Sequence, residues 1–140
     1  MPDDVRHILD RNITALNNRD IEGYLANQQP DVEIVLPGGT TLHGRDQLRD
    51  YTEAMWNAFP DGTLAFGAQA LGKDAAATEV TFTGTHTGPM TTPDGPVPPT
   101  GRSVTLRSAS ILMIRDGLID AEHIYFDQLE MLAQLSQDDE

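Results

Sequence analysis

The sequence contains no cysteine among its 140 residues. This absence excludes disulfides, thiolate metal sites and cysteine nucleophiles. Basic residues are also scarce, with nine Lys and Arg against 22 Asp and Glu, for a formal net charge of −13. Because so acidic a surface repels phosphate backbones and anionic lipid headgroups, we expect neither nucleic acid nor membranes as partners.

Long apolar runs are missing as well. No stretch approaches the ~18 consecutive apolar residues that predict a membrane helix. The first residues, Met-Pro-Asp-Asp, lack the basic segment that opens a secretory signal. We therefore expect a cytoplasmic protein. The length predicts a single domain over residues 1–140, able to bury about two-thirds of its unfolded surface.

Helical periodicity dominates the first 60 residues. Apolar residues at helical spacing predict a helix over 3–19 and a second, bulkier one that carries Leu48 to Phe59. Asp20 is placed to cap a short helix between them. A short strand is predicted at 32–36, where Pro37-Gly38-Gly39 follows.

The apolar pattern changes to period two after residue 62. It predicts four strands, at 63–72, 76–87, 102–115 and 118–126. Five prolines within 89–99 are expected to prevent regular strand pairing there and to leave a stiff loop. A last short helix is predicted at 128–135. Helices followed by strands indicate an α+β fold, with a curved mixed or antiparallel sheet wrapped around the N-terminal helices as a cone with an internal pocket.

Several polar side chains share a strand face with apolar ones. Alternation predicts that the inward polar residues are His86, Ser108, Ser110, His123, Tyr125 and Asp127. The same alternation turns Asp120 and Glu122 towards solvent. A partly desolvated carboxylate at the mouth of an apolar cavity has a raised pKa, which suits a base that removes a proton from carbon.

Structural explanations exist for the same residues. An isolated buried histidine such as His86 is more often part of the core than of a site. Asp127-Gln128-Leu129-Glu130 matches a helix capping box, in which Asp127 would only hold the helix end. Capping and proton transfer do not exclude each other, so both roles remain open for Asp127.

The pocket wall is predicted from the bulky helix and the inward strand positions. The residues expected to contact a ligand are Tyr51, Met55, Trp56, Phe82, Ser108, Ser110 and Tyr125. The sequence has no local metal-ligand spacing, no nucleotide-binding fingerprint and no nucleophile elbow. We therefore expect a small, apolar substrate and neither a metal nor a cofactor.

Five segments carry a resemblance to a known family. They are Thr85-His86-Thr87-Gly88, Val97-Pro98-Pro99-Thr100-Gly101-Arg102, Ile114-Arg115-Asp116-Gly117-Leu118-Ile119, Glu122-His123 with Asp127, and Ala133-Gln134-Leu135. Together with the leading helices, they resemble the SnoaL-like polyketide cyclases of the nuclear transport factor 2-like, or cystatin-like, α+β superfamily.

The resemblance implies a chemistry and assigns its residues. In characterised members, an aspartate just after the last strand is the acid/base in an intramolecular aldol ring closure of a polyketide ester, without metal or cofactor. By position this aspartate matches Asp127, and the family's two histidines match His123 and His86. The chain departs from the pattern at Ser110, where ring-closing members commonly carry a histidine.

The sequence thus predicts a cofactor-independent acid/base enzyme that cyclises or isomerises an apolar carbonyl compound. Three alternatives stay open: a binding protein without catalysis, an epoxide-opening hydrolase and a structural dimer module. The outward threonines 81, 83 and 85 form an uncharged strand surface. We expect this surface to join subunits into a homodimer or homotetramer through the sheet.

Overall fold

A computed structural model of the chain describes residues 4–92 and 95–136. The four helices are α1 (Val5–Asn17), α2 (Ile21–Ala26), α3 (Gly44–Ala58) and α4 (Gln128–Ser136). The eight strands are β1 (Gln28–Leu36), β2 (Thr40–His43), β3 (Thr63–Leu71), β4 (Ala75–Thr85), β5 (Met90–Thr92), β6 (Gly95–Val97), β7 (Ser103–Arg115) and β8 (Leu118–Phe126). The predicted α+β class is confirmed.

Six of the strands form one curved, unclosed sheet in the order β2-β1-β8-β7-β4-β3. All neighbouring pairs are antiparallel except β1 and β8, which run parallel and bring Gln28 beside Ile119. Helix α3 packs on β1, and α1 packs on β3 and β4. The sheet is therefore mixed, and its concave side holds the helices.

Two strand pairings differ from the prediction. Strand β2 was not predicted; it follows Gly38 and Gly39, whose positive φ angles of 86° and 84° allow the chain to turn back onto β1. Strands β5 and β6 pair as a hairpin, so the expectation that prolines would prevent pairing there is wrong. Pro96 is accommodated because a two-stranded ribbon has free edges, where a missing N–H is tolerated. Residues 93 and 94 of this loop lie outside the described residues.

The core consists of two clusters of buried side chains. The larger joins α1, α2 and α3 to β1, and its fully buried members include Ile8, Leu9, Val32, Ile34 and Leu48. The smaller surrounds Phe59, which directly follows α3 and meets Phe82 edge to face at 5.0 Å between ring centroids. The two clusters fix α3 over the sheet and leave a space between them.

The convex face of the sheet carries exposed apolar side chains. Its central strands expose Ile111 and Tyr125, beside the outward Thr81 and Thr83. This surface matches the one predicted for subunit contacts, and the homodimer or homotetramer stays a prediction. No helix within residues 4–92 and 95–136 has the length and apolar character needed to cross a bilayer.

Leu48→Ala tests the role of α3 in the core. Leu48 is 2% exposed in the larger cluster, so its truncation should lower the free energy of unfolding by about 2–5 kcal/mol through lost burial and a residual cavity. The matched control is Leu132→Ala, also helical but 53% exposed, which should change stability by less than about 1 kcal/mol. Urea unfolding measures both, and equal losses would contradict the assignment of this core.

Candidate active site

An internal cavity of about 550 Å³ lies between the concave face of the sheet and the helices. Its size is typical of small-molecule sites, and its walls are mostly apolar. Six of the seven residues predicted to contact a ligand line it: Tyr51, Met55, Trp56, Phe82, Ser108 and Ser110. The placement of these six side chains on the cavity wall is as expected, and their contact with a substrate stays a prediction.

One carboxyl group, that of Glu122, is buried in this cavity wall. Glu122 stands on β8 opposite Leu112 of β7 and is 9% exposed. Burial raises its pKa from an ordinary 4.5 to about 7, and a hydrogen bond from the Ser110 hydroxyl offsets part of that rise. The expectation that Glu122 faces solvent is therefore wrong.

The error arises from a β-bulge in the β7–β8 hairpin. Ala121 pairs with Met113, and Ile119 pairs with Ile114, so that Asp120 is one extra residue in β8. The guanidinium of Arg115 holds the bulge by donating to Asp120 Oδ1 from Nε (3.2 Å) and Nη2 (3.0 Å). An extra residue reverses the alternation, and every later side chain of β8 moves to the opposite face.

His123 and Tyr125 consequently lie on the convex face. His123 pairs with the exposed Ile111, and Tyr125 is 56% exposed beside Ala109. Neither lines the cavity, so their predicted inward orientation is wrong. The cavity side of this part of β8 is formed by Ile124, together with Glu122.

Asp127 caps α4 instead of facing the cavity. Its Oδ1 accepts the backbone N–H of Glu130 at 3.1 Å, as the capping-box interpretation predicted. The side chain is exposed and is not part of the cavity wall. The predicted inward position of Asp127 is wrong, and the acid/base role that depended on it has no support in this geometry.

His86 is buried, as predicted, but outside the cavity. Its ring packs 5.4 Å from that of Phe59, and its Nδ1 accepts the backbone N–H of Thr100 at 3.3 Å. The Thr100 hydroxyl lies 3.1 Å from the same nitrogen. Burial lowers the pKa of His86, which favours a neutral ring that holds the 98–102 loop. The three residues predicted to be catalytic therefore do not converge.

Two tyrosines accompany Glu122 in the cavity. Burial and the nearby carboxyl of Glu122 raise the pKa of Tyr51 to about 12, and they raise that of Tyr24 as well. The Tyr24 hydroxyl is hydrogen-bonded with Thr52. Both phenols therefore stay protonated at neutral pH and can donate hydrogen bonds. The arrangement combines one titrating acid with hydroxyl donors inside a hydrocarbon pocket.

The sequence and the fold agree with a known family. The family model of the SnoaL-like polyketide cyclases matches residues 6–135. The chain therefore belongs to the SnoaL-like polyketide cyclase family. It has no significant match among proteins of curated function.

Solved structures show the same fold. A proposed SnoaL-like polyketide cyclase from Jannaschia sp. CCS1 superposes with a TM-score of 0.84 at 15% identity, covering 95% of this chain and 92% of that one. IdmH, a proposed polyketide cyclase from Streptomyces antibioticus, superposes with a TM-score of 0.75 at 28% identity, covering 93% of this chain and 96% of that one. AclR, a proposed hydroxylase from Streptomyces galilaeus, superposes with a TM-score of 0.77 at 22% identity, covering 96% of this chain and 82% of that one. The fold thus occurs in proteins to which different reactions are attributed.

Glu122→Gln should stabilise the protein at high pH. A carboxyl whose pKa is higher in the folded state than in the unfolded chain favours folding below pH 4.5, and this contribution is lost as pH rises through about 7. At pH 9 the neutral amide avoids a buried charge, so the free energy of unfolding should rise by about 3 kcal/mol. Urea unfolding from pH 4 to pH 9 measures the difference.

The matched control is Glu53→Gln, which removes a carboxylate from the exposed side of α3. At pH 9 its free energy of unfolding should stay within about 0.5 kcal/mol of the wild type. If the Glu122→Gln curve also runs parallel to the wild-type curve, Glu122 is not the buried, titrating group described above.

The His86–Thr100 contact can be tested by a double-mutant cycle. His86→Phe and Thr100→Val should each cost about 1–3 kcal/mol, because the first removes the acceptor of the Thr100 N–H and the second removes the hydroxyl contact to Nδ1. Since they share one interaction, the double variant should lose at least about 0.5 kcal/mol less than the sum. Additive losses in urea unfolding would show that the two residues act independently.

Proposed function

We propose that this protein is an acid/base enzyme in which Glu122 moves a proton on an enolisable, mostly apolar carbonyl compound. Cyclisation of a polyketide-like ester or isomerisation of a ketone is the concrete form of this reaction. The observation that supports the proposal most directly is a buried carboxyl with a pKa of about 7 in the wall of an apolar cavity. Such a group is poised to accept and return a proton near neutral pH.

The neighbouring hydroxyl groups have complementary roles in this proposal. The ionised Glu122 removes a proton from the carbon next to the carbonyl, and the electron pair moves to the carbonyl oxygen. The Tyr51 hydroxyl, which stays neutral, donates a hydrogen bond to that oxygen as negative charge develops. Ser110 holds the carboxyl of Glu122 in place. The protonated Glu122 then returns the proton to carbon or to the product oxygen.

The alternatives are less well supported. Epoxide opening calls for a second carboxylate to activate water, and Glu122 is the sole carboxylate among the cavity-lining residues that the structure describes. A binding protein without catalysis would use the same cavity, but it does not require a carboxyl with a raised pKa. The experiment below separates binding from proton transfer.

Hydrogen–deuterium exchange of 2-tetralone tests proton transfer without knowledge of the natural substrate. This bicyclic ketone is apolar and carries an acidic carbon next to its carbonyl. The wild-type protein should accelerate exchange in D₂O, with a rate that rises as pH increases through about 7 because Glu122 must be ionised. Glu122→Gln should reduce the protein-dependent rate by about 10²-fold or more.

Asp127→Asn provides the matched control, because asparagine caps a helix about as well as aspartate. This variant should exchange 2-tetralone at the wild-type rate. Loss of exchange in Asp127→Asn but not in Glu122→Gln would return the base role to Asp127. Binding of 2-tetralone without any acceleration over buffer would favour the non-catalytic alternative.

A further inference from the structure

One basic side chain, that of Arg19, lines the cavity. Arg19 follows α1 in the left-handed region of backbone space, with φ of 52°, and the turn there is closed by a hydrogen bond from its N–H to Leu16 O. It is the one Lys or Arg among the cavity-lining residues that the structure describes. The wall thus contains two charged side chains, Arg19 and Glu122.

The guanidinium is held in a fixed pose. Its Nη2 donates to the backbone carbonyls of Phe59 (3.3 Å) and Gly62 (3.0 Å) in the turn that follows α3. Its central carbon lies 5.6 Å from the ring centroid of Trp56, within cation–π range. These contacts use one nitrogen and one face of the group. Within the described part of the chain, Nε and Nη1 make no hydrogen bond, so each of these two nitrogens can still donate to a ligand, although they do not lie on one edge of the guanidinium.

Asp61, whose pKa is affected by the charge of Arg19, does not occupy those donors. The pKa of Asp61 is lowered chiefly by a hydrogen bond from the backbone N–H of Thr85 and in smaller part by the positive charge of Arg19. Both carboxylate oxygens of Asp61 are bound by Thr85, at 2.7 Å from the backbone N and 2.8 Å from the hydroxyl. Among residues 4–92 and 95–136, no carboxylate therefore bonds directly to the positive charge of Arg19.

Arg19 and Glu122 lie at different depths of the cavity. The exposed wall residues Asn17 and Thr63 mark the open end; Asn17 is two positions before Arg19, and Thr63 directly follows Gly62. Glu122 lies among the buried side chains of Leu112 and Tyr24. A ligand that fills the cavity thus meets a cation near solvent and a titrating acid in the interior, with hydrocarbon between.

We propose that Arg19 binds a carboxylate on the ligand, so that the substrate class is an apolar ring compound with an anionic carboxylate at one end. This proposal rests on the proposed function in one respect: both place the ligand in the same cavity, with the enolisable carbonyl at Glu122. A carboxylate oxygen can accept a charge-assisted hydrogen bond from Nη1 or from Nε of this guanidinium. A doubly charged phosphate fits less well, since the described wall offers no second cation.

Binding of a matched pair of probes tests the proposal. Anthraquinone-2-carboxylate and anthraquinone-2-carboxamide share the same rings and differ in charge. Trp56 is the only tryptophan of the chain, so quenching of its fluorescence reports ligands in the cavity. At 0.15 M salt, which screens the protein's net negative charge beyond ~8 Å, the wild type should bind the carboxylate about tenfold more tightly than the amide.

Arg19→Gln should bring this ratio close to one while it leaves the affinity for the amide unchanged. Arg19→Lys should retain part of the preference, since it keeps the charge but not the planar fork. The ratio within each variant does not depend on the folded fraction, so partial unfolding after loss of the contacts to Phe59 and Gly62 cannot mimic the result. Arg107→Gln removes an equal charge from the convex face and should keep the wild-type ratio.

A ratio in Arg19→Gln equal to that of the wild type would overturn the proposal, as would failure of the wild type to bind or to prefer the carboxylate. The test of Arg19 can fail or succeed independently of the proposed proton transfer by Glu122. Glu122→Gln should keep the carboxylate preference even though it loses exchange of 2-tetralone. A wild-type protein that prefers the carboxylate but does not exchange 2-tetralone would retain the Arg19 site and lose only the proton-transfer role.

Discussion

Asp120 is the extra residue of the β-bulge in β8, and its position determines which side chains of β8 face the cavity. Without it, strand alternation from the buried Ile119 would place Ala121, His123 and Tyr125 inside and Glu122 in solvent. With it, the carboxyl of Glu122 is surrounded by hydrocarbon, and its pKa rises to about 7. The exposed ion pair between Arg115 and Asp120 contributes little to stability by its own attraction. Its main effect is to hold the bulge, which determines which face of β8 turns to the cavity.

Burying an ionisable group has a thermodynamic cost that the rest of the cavity wall must offset. At high pH an ionised Glu122 opposes folding, whereas the packed clusters around Ile8 and Phe59 favour it. The Ser110 hydroxyl reduces this cost only in part. Such a cost is the usual consequence of moving an ionisable group out of water.

Periodicity predicted most of the fold, because helices and long strands each repeat an apolar pattern over many residues. The predicted faces of β4 and β7 were right for Phe82, Ser108 and Ser110. The face of β8 was wrong because a bulge leaves no mark in composition. The sequence nevertheless contained a signal for the correct face. The series Glu122, Ile124 and Phe126 is more apolar at its end than the series Ala121, His123 and Tyr125.

Other parts of the site could not be predicted from local sequence. Arg19 enters the cavity because the turn after α1 meets the turn after α3, a contact between residues 40 or more positions apart. Resemblance to the family drew attention to the aspartate after the last strand, but in this chain the geometry gives that residue a helix to cap. The cavity is a property of packing between distant elements, and periodicity describes only each element by itself.

The parallel pairing of β1 with β8 also determines the order in which the protein can be assembled. Gln28 meets Ile119 only after residues 37–117 have been synthesised and have folded back, so β1 has β2 as its sole sheet neighbour until then. Contacts of such long sequence separation form late and slow the folding of a domain. Since Glu122 lies on this last strand, the cavity and the carboxyl group in its wall are completed in the same step.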